Sequence, residues 1–546
     1  MMKLKRIEFA CTDGEREFSV SADCTVRTDH LTLSIQHTED TLQVGIHTDR
    51  DIILRHVRAV YDCPYSASEA IFLNGYQTWT DSIEHTVRDR MHGLNRIPKN
   101  LVEKYAFTQY GDYGFVDYPD KPGQLHGFSY GYIRLHTNYR FFGSLDEDHG
   151  FTVFRTDTDA GTLTAERDCA GLHVHGDYKA LDLLFLEGRE QEVFDGYFSR
   201  LGIQLREEAK PLYGYTSWYR HYQNISEQII LEDLAGMQGQ PYPVDVFQID
   251  DGYQTAVGDW LSVDPVKFPE GMAKIAAAIR ETGILPGIWL APFAAEEKSE
   301  LFRLHPDWFV QDEFGRPVKG GSNWSGFYAL DICNEDVRSY LREVFRTITQ
   351  DWGYRLLKLD FLYAACIVPR PGKTRGQLMA EAMDFLRECA GDAFILGCGV
   401  PLASAFGRVD YCRIGCDVCL DWDDKPHMRL THRERVSTKN AVLNAVFRRQ
   451  LDGRAFLNDP DVFLLRSEGT SMTAEQRTCL AEVCALTGSV LFTSDDPSQY
   501  GNGQRSVLSR MMKLKNAEIL SVDYRSNLLR VRFRFQDKVL TRVYPM

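Results

Sequence analysis

The sequence predicts a multidomain chain of mixed α/β and all-β architecture: an N-terminal β-sandwich, a central (β/α)8 TIM barrel and a small C-terminal β-domain. Three observations carry this. Residues 1–207 show two-residue alternation of apolar and polar side chains, the mark of half-buried strands. From residue 208, after Glu207-Glu208-Ala209-Lys210-Pro211, short apolar runs alternate with amphipathic helical patterns, as in a parallel sheet with crossover helices. Over 501–546 the two-residue alternation returns. At 546 residues the chain is too long for one core.

In the first part the alternation is clearest at Leu31, Leu33, Ile35, then Leu42, Val44, Ile46, later Phe151, Val153 and around Leu172. Turn-rich pieces such as Tyr118-Pro119-Asp120-Lys121-Pro122-Gly123 separate these runs, which favours a large antiparallel sandwich. Trp79 is the one tryptophan here of the eight in the chain, in Asn74-Gly75-Tyr76-Gln77-Thr78-Trp79. By composition that segment reads as a packed corner, with a sugar-stacking surface as the alternative. His173, His175 and Asp177 share one strand face; without an accompanying ligand cluster they read as solvated strand rather than a metal site.

The central part yields eight strand candidates, at 213–218, 244–250, 285–292, 356–362, 394–400, 409–415, 454–458 and 489–494. Between them, Ser226 caps a run with Ile229, Ile230 and Leu234, residues 375–389 carry Leu378, Ala382 and Phe385 at helical spacing, and 431–450 carry Val436, Ala441, Val442 and Val446. Eight such units make a barrel whose site lies at the C-terminal strand ends. The stretch 301–331 is a longer excursion after the third strand. The last part alternates at Leu529, Val531, Phe533 and Leu540.

A formal net charge of −15 argues against nucleic acid, an anionic membrane surface or acidic substrates as partners. The N-terminus has no signal-like apolar core and no run reaches membrane-helix length, so the expectation is a soluble, cytoplasmic protein. Thirteen scattered cysteines, an odd number, read as reduced thiols. Nothing in these patterns fixes an oligomeric state.

Polar residues gather at the predicted strand ends: Gln248-Ile249-Asp250-Asp251, Trp289, Lys358 and Asp360, Cys398, Arg413 with Asp417, Asn458-Asp459-Pro460-Asp461, and Ser494-Asp495-Asp496. A pocket of carboxylates, Arg, Lys and tryptophans without a Gly-rich phosphate loop suits a neutral polyhydroxylated ligand, a sugar. Within LLKLDFLYAA, Lys358 and Asp360 share one strand face, and Leu357, Leu359 and Phe361 the other. A carboxylate kept ionised beside Lys358 suits a nucleophile, although a structural ion pair is the plain alternative. Two carboxylates from different strands are what glycoside hydrolysis needs; Asp417, after a glycine, is the candidate acid, with Arg413 acting to lower its pKa. Asp459 and Asp495 read as helix caps. A rival reading uses Cys412, Cys416 and Cys419, whose C-x3-C-x2-C spacing is that of the iron–sulfur cluster of radical SAM enzymes, though here it follows the sixth strand instead of the first.

Seven pieces in order, NGYQTWT at 74–80, SWY at 217–219, FQIDDGYQ at 247–254, PGIWLAPF at 286–293, LKLDFLY at 357–363, GCGVPL at 397–402 and RIGCDV at 413–418, resemble the α-galactosidases (melibiases) of glycoside hydrolase family 36. The resemblance implies an N-terminal β-supersandwich at 1–207, a catalytic barrel at 208–500, a C-terminal β-domain at 501–546, and a retaining, exo-acting hydrolase of galactose-containing oligosaccharides with no metal or other cofactor. It implies Asp360 as nucleophile and Asp417 as acid/base. Asp250 and Asp251 would take the 4- and 6-hydroxyls of galactose, Trp289 its apolar side, and Lys358, Cys398 and Arg413 the other hydroxyls. Tyr219, in the SWY piece, would line the same site, and Trp79 would reach in from the N-terminal domain, against its reading as a packed corner. Cys416 stands where the family often has proline. The alternatives are another retaining α-glycosidase such as an α-N-acetylgalactosaminidase, a transglycosylase, or a non-catalytic sugar-binding protein with the same pocket.

Overall fold

The computed structural model describes residues 2–14, 16–423 and 428–546. Thirteen N-terminal strands share one antiparallel ladder network, and its longest member, Thr41–Asp62, ties it together. The first half of that strand pairs with Leu31–His37 and the second with Lys3–Thr12, while His173–Gly188 runs along its other side. The predicted alternation is realised: Leu31, Leu33, Ile35, Leu42, Val44 and Ile46 are all buried in one core. Opposite side chains of the sheet, among them Phe72, Tyr130, Tyr132 and Phe141, belong to the larger core of the central part, joined through Phe194 and Tyr197 of helix Glu190–Leu201.

Next come eight parallel strands: β1 (Leu212–Thr216), β2 (Val246–Ile249), β3 (Leu285–Leu290), β4 (Leu356–Leu359), β5 (Phe394–Gly397), β6 (Tyr411–Arg413), β7 (Leu457–Asp459) and β8 (Val490–Thr493). They pair in chain order from β1 to β7, and β1 also pairs with β8. Val462–Phe463, separated from β7 by two residues, pairs with β8. Both ends of the sheet path are therefore pieces of one stretch, interrupted at Pro460-Asp461, where proline has no N–H to give to a ladder. All eight strands were placed by the sequence, but all except β7 end earlier than expected, because the polar residues at their ends turn into loops.

The helices follow their caps. The Ser226 hydroxyl accepts from Ile229 N, opening Glu227–Met237, and Thr374 with Gln377 forms a capping box for Arg375–Ala390. Gly353, at φ +83°, stops the helical stretch before β4. The helix expected over 431–450 is shorter, Thr438–Phe447, capped by Ser437. Residues after Tyr500 do not begin with alternation: a helix, Asn502–Leu514, precedes three antiparallel strands at Glu518–Arg525, Leu528–Phe535 and Lys538–Pro545. Its buried Leu508, Met511 and Leu514 recur at a spacing of three, a helical period. Among the described residues no helix is long and apolar enough to cross a membrane.

Candidate active site

The site lies at the C-terminal ends of β2 to β6, with the turn after β1 and the 74–82 loop closing over it. Asp250 and Asp251 follow β2 directly. Lys358 in β4 is the register partner of Trp289 in β3, so the two side chains emerge at one level. Asp360 follows β4, Cys398 follows β5, and Arg413 ends β6.

Lys358 is where the sequence reading needs correction. Its Nζ lies 2.8 Å from Asp250 Oδ2, and no ion pair joins it to Asp360. Both partners are buried, and Asp250 also accepts from Gln248 Nε2 at 3.2 Å and from Asp251 N at 2.9 Å. Asp360 instead accepts from Trp289 Nε1 at 3.1 Å and from Phe361 N at 2.8 Å. Burial raises its carboxyl above the ordinary range, Lys358 opposes this, and Asp417 adds to it. Phe361 does not continue the strand alternation either. At φ +52° it leaves the strand, and its ring packs 5.0 Å from that of Trp79 and 4.9 Å from that of Trp324.

Asp251 is held by three side-chain donors: Gln254 Nε2 at 2.6 Å, Gln223 Nε2 at 2.7 Å and Trp324 Nε1 at 2.8 Å. Burial still raises its pKa, the three donors opposing and Asp250 adding. Opposite, the buried guanidinium of Arg413 bridges two carboxylates, with Nη2 3.0 Å from Asp417 and 3.0 Å from Asp461. Asp461 accepts from the Tyr219 hydroxyl and, at 2.8 Å, from Val418 N. Burial pushes its carboxyl up to about 6, against Arg413 and with help from Asp417 and Asp459. The Asp417 side chain remains 41% exposed, open toward solvent.

Trp79 is not a packed corner. Arg448, fully buried, donates to Asn74 Oδ1 at 3.0 Å, Thr78 O at 2.6 Å and Gln77 O at 3.0 Å, clamping the 74–80 loop from below. Thr78 N donates to Val400 O at 3.1 Å, and Gly399 N to Thr78 Oγ1 at 2.9 Å. The indole Nε1 then reaches Cys398 Sγ at 3.3 Å. Gly399 has φ +59°, and a Cβ there would meet the Trp79 ring and Phe361 N, each at 2.9 Å, so this contact requires glycine.

All ten expected residues, Trp79, Tyr219, Asp250, Asp251, Trp289, Lys358, Asp360, Cys398, Arg413 and Asp417, thus join one network of contacts or electrostatic coupling. The sequence reading missed Gln223, Gln254, Trp324, Phe361 and Asp461. Asp461 sat within a flagged strand end, and Trp324 within the flagged excursion 301–331; neither had a pattern naming its role. Asp459 and Asp495 cap no helix: they accept from loop N–H groups of Asp461 at 2.9 Å, and of Leu465 at 2.6 Å and Arg466 at 2.9 Å. Cys412 and Cys416 are buried, with thiols raised by burial; Cys416 donates to Ser437 O at 3.4 Å and Cys419 to Asp421 O at 2.9 Å. These thiols do not form a cluster cradle, and among the described residues no group of three His, Cys, Asp or Glu side chains is placed to hold a metal ion. His175 pairs with Asp51 at 3.1 Å, and Asp177 with His47 at 2.7 Å, both on the surface.

Residues 194–377 match the family model described as Melibiase. The chain is 38% identical over 181 residues to an α-galactosidase of Escherichia coli, an alignment covering 31% of this chain and 24% of that relative. Most of the length of such curated relatives is left unaligned. A solved structure of TtGalA, an α-galactosidase from Thermus thermophilus in complex with p-nitrophenyl α-D-galactopyranoside, matches with a TM-score of 0.73 and 28% identity, covering 94% of this chain and 98% of that one. The GH36 α-galactosidase AgaA of Geobacillus stearothermophilus shares the fold, with a TM-score of 0.61 at 13% identity over 96% of this chain and 72% of that one.

Proposed function

We propose that this relative of the glycoside hydrolase family 36 α-galactosidases is itself a retaining, exo-acting α-galactosidase that removes terminal α-galactosyl units from oligosaccharides. The observation that carries the proposal is the pairing of two carboxylates in different environments at one set of strand ends. Asp360 is buried beneath Trp289 and the 74–80 loop, whereas Asp417 is open to solvent and fixed by Arg413. We take 208–500 as a (β/α)8 barrel closed through the 457–463 stretch, 1–207 as a β-supersandwich and 501–546 as a C-terminal β-domain. We also take the protein to be cytoplasmic and to use neither nucleic acid nor membrane as a partner.

In the first step a carboxylate oxygen of Asp360 attacks the anomeric carbon from the β face. The glycosidic bond breaks, and Asp417 gives its proton to the departing oxygen. In the second step Asp417 takes a proton from water, whose oxygen displaces Asp360 and leaves an α-configured galactose. Trp289 N–H and Phe361 N–H hold the Asp360 carboxylate in position. Asp250, fixed by Lys358, and Asp251, fixed by three donors, accept hydroxyl hydrogens of the sugar, and Trp79 over Cys398 closes the pocket from the N-terminal side. The route draws on no metal or other cofactor.

Azide separates the two roles. Asp360→Gly is expected to lose activity and, with azide entering the vacated β face, to give β-galactosyl azide. Asp417→Ala is expected to keep activity on good leaving groups and to give the α-azide from the trapped intermediate. Azides of one configuration from both variants, or β-galactose as the first wild-type product, would overturn the assignment. A nitrophenyl panel including α-N-acetylgalactosaminide and α-glucoside, with product analysis for sugar transfer, separates this function from its alternatives.

A further inference from the structure

The turn after β1 does more than supply Tyr219. Its helix, Trp218–His221, is one turn long, and the chain then passes through Tyr222 to Gln223. Tyr219 and Gln223 both point into the site, the first donating to Asp461 and the second, at 2.7 Å, to Asp251. Tyr222 lies between these anchors and points outward. Its backbone is at φ +50° and ψ −134°, a conformation a β-substituted residue adopts at a cost of about 1–3 kcal/mol unless its surroundings enforce it. Here they do: Tyr222 N donates to Trp218 O at 2.7 Å, Lys267 Nζ donates to Gln223 O at 2.9 Å, and Arg466 Nη2 donates to Tyr219 O at 2.7 Å.

The outcome is a large aromatic ring that is 41% exposed at the rim. Its inner edge meets the half-buried ring of Trp218 edge-on, with centroids 5.2 Å apart, so it is braced rather than free to rotate away. Three residues earlier in the same turn, the Tyr219 hydroxyl donates to Asp461, which Arg413 bridges to Asp417, so the turn belongs to the acid/base side of the site; burial raises the Tyr222 pKa, Arg466 opposes, and Cys419, Asp417 and Asp421 add to the rise. This is the side on which a leaving group accepts its proton from Asp417. An aromatic face held at a rim, with carboxylates and a guanidinium beside it, is the surface on which a pyranose ring stacks through its C–H groups while its hydroxyls meet the charged neighbours.

We propose that Tyr222, braced by Trp218, is the platform for the sugar ring attached to the departing oxygen, and so sets preference for saccharide over non-saccharide leaving groups. The proposal rests on the α-galactosidase reading of the same site. Its test compares a substrate with a sugar leaving group, α-galactosyl-(1→6)-glucose, and one with none, α-galactosyl fluoride. Tyr222→Gly removes the ring and, at φ +50°, suits the backbone, so folding is retained. The ratio of kcat/KM for the disaccharide to that for the fluoride is expected to fall about five- to ten-fold, the worth of one stacked ring. Tyr222→Phe keeps the ring and is expected to hold the ratio within about two-fold of wild type, since stacking needs the ring face and not the hydroxyl. An unchanged ratio in Tyr222→Gly, or equal losses on both substrates, overturns the platform while leaving the α-galactosidase reading intact. If the wild type hydrolyses neither substrate, it is that underlying reading that fails, and the platform with it.

Discussion

Replacing Lys358 by methionine tests which carboxylate the lysine serves. Its side chain is 9% exposed, that of Asp250 is 4% exposed, and the two charges lie 2.8 Å apart. At an effective dielectric of about 20, that separation gives an attraction of about 6 kcal/mol, of which desolvating two buried ions consumes most. The pair therefore adds little net stability, but removing one partner strands the other, at about 3–5 kcal/mol. Lys358→Met is expected to destabilise the fold by that amount, and Asp250→Asn in the same chain to restore about 2 kcal/mol or more of it. Asp360→Asn in place of Asp250→Asn should restore less than about 1 kcal/mol, since it makes no ion pair with the lysine. The assay is urea unfolding of the four chains of each cycle. Burial pulls the Lys358 pKa down, but Asp250, and after it Asp360, hold it well above the ordinary value. A raised lysine contributes fully below its unfolded pKa and loses that contribution only as pH climbs through the folded value. The coupling should therefore be flat between about pH 6 and 9. A coupling to Asp360 equal to that with Asp250, or one that fades within this window, would refute the pairing.

Other outcomes follow from neighbouring groups. Glu434 lies under the 74–80 loop, accepting from Thr80 Oγ1 at 2.7 Å, and burial, with Asp112, pushes its carboxyl up to about 8 despite that bond and Arg433 and Arg448. A carboxyl raised in the folded state costs nothing below its unfolded pKa, so stability should decline as pH rises from about 4.5 to 8; thermal melts of Glu434→Gln should lack this decline. On the proposed function, buried Asp250 and Asp251 accept from the axial 4-hydroxyl and are left unpaired when the epimer binds, so kcat/KM for p-nitrophenyl α-glucoside should fall by about a thousand-fold or more against the galactoside. Dialysis against a chelator should leave the rate unchanged, and a metal-reversible loss would count against the proposed route.

Much of the site was legible because strand ends are punctuated in the sequence. A buried parallel strand reads as a short apolar run, so a charge at its end, as at Asp250, Lys358 or Arg413, stands out from the pattern. The Ser226 cap was equally plain, since it acts on an N–H group three residues away. Residues that act at long range carried no such signal. Trp324 reaches Asp251 from a loop more than seventy positions away, and Gln223 reaches it from a turn whose composition is unremarkable.

The sequence by itself determined the order of the eight central strands, the alternation that buries one face of the N-terminal sheet, and the set of strand ends where polar groups collect. These depend on local periodicity and local caps, and neighbours in the chain carry both. Only the tertiary structure decided which charges pair. Lys358 and Asp360 are two residues apart and would share a face if the strand continued, yet the lysine crosses to Asp250 at the end of β2 while Asp360, just past β4, turns to Trp289. Likewise Trp79 was brought against Cys398 and Phe361 by Arg448 and Gly399, which lie more than three hundred positions away. Ion pairs and ring contacts depend on distance through space and on burial, and a sequence records neither until its strands are placed side by side.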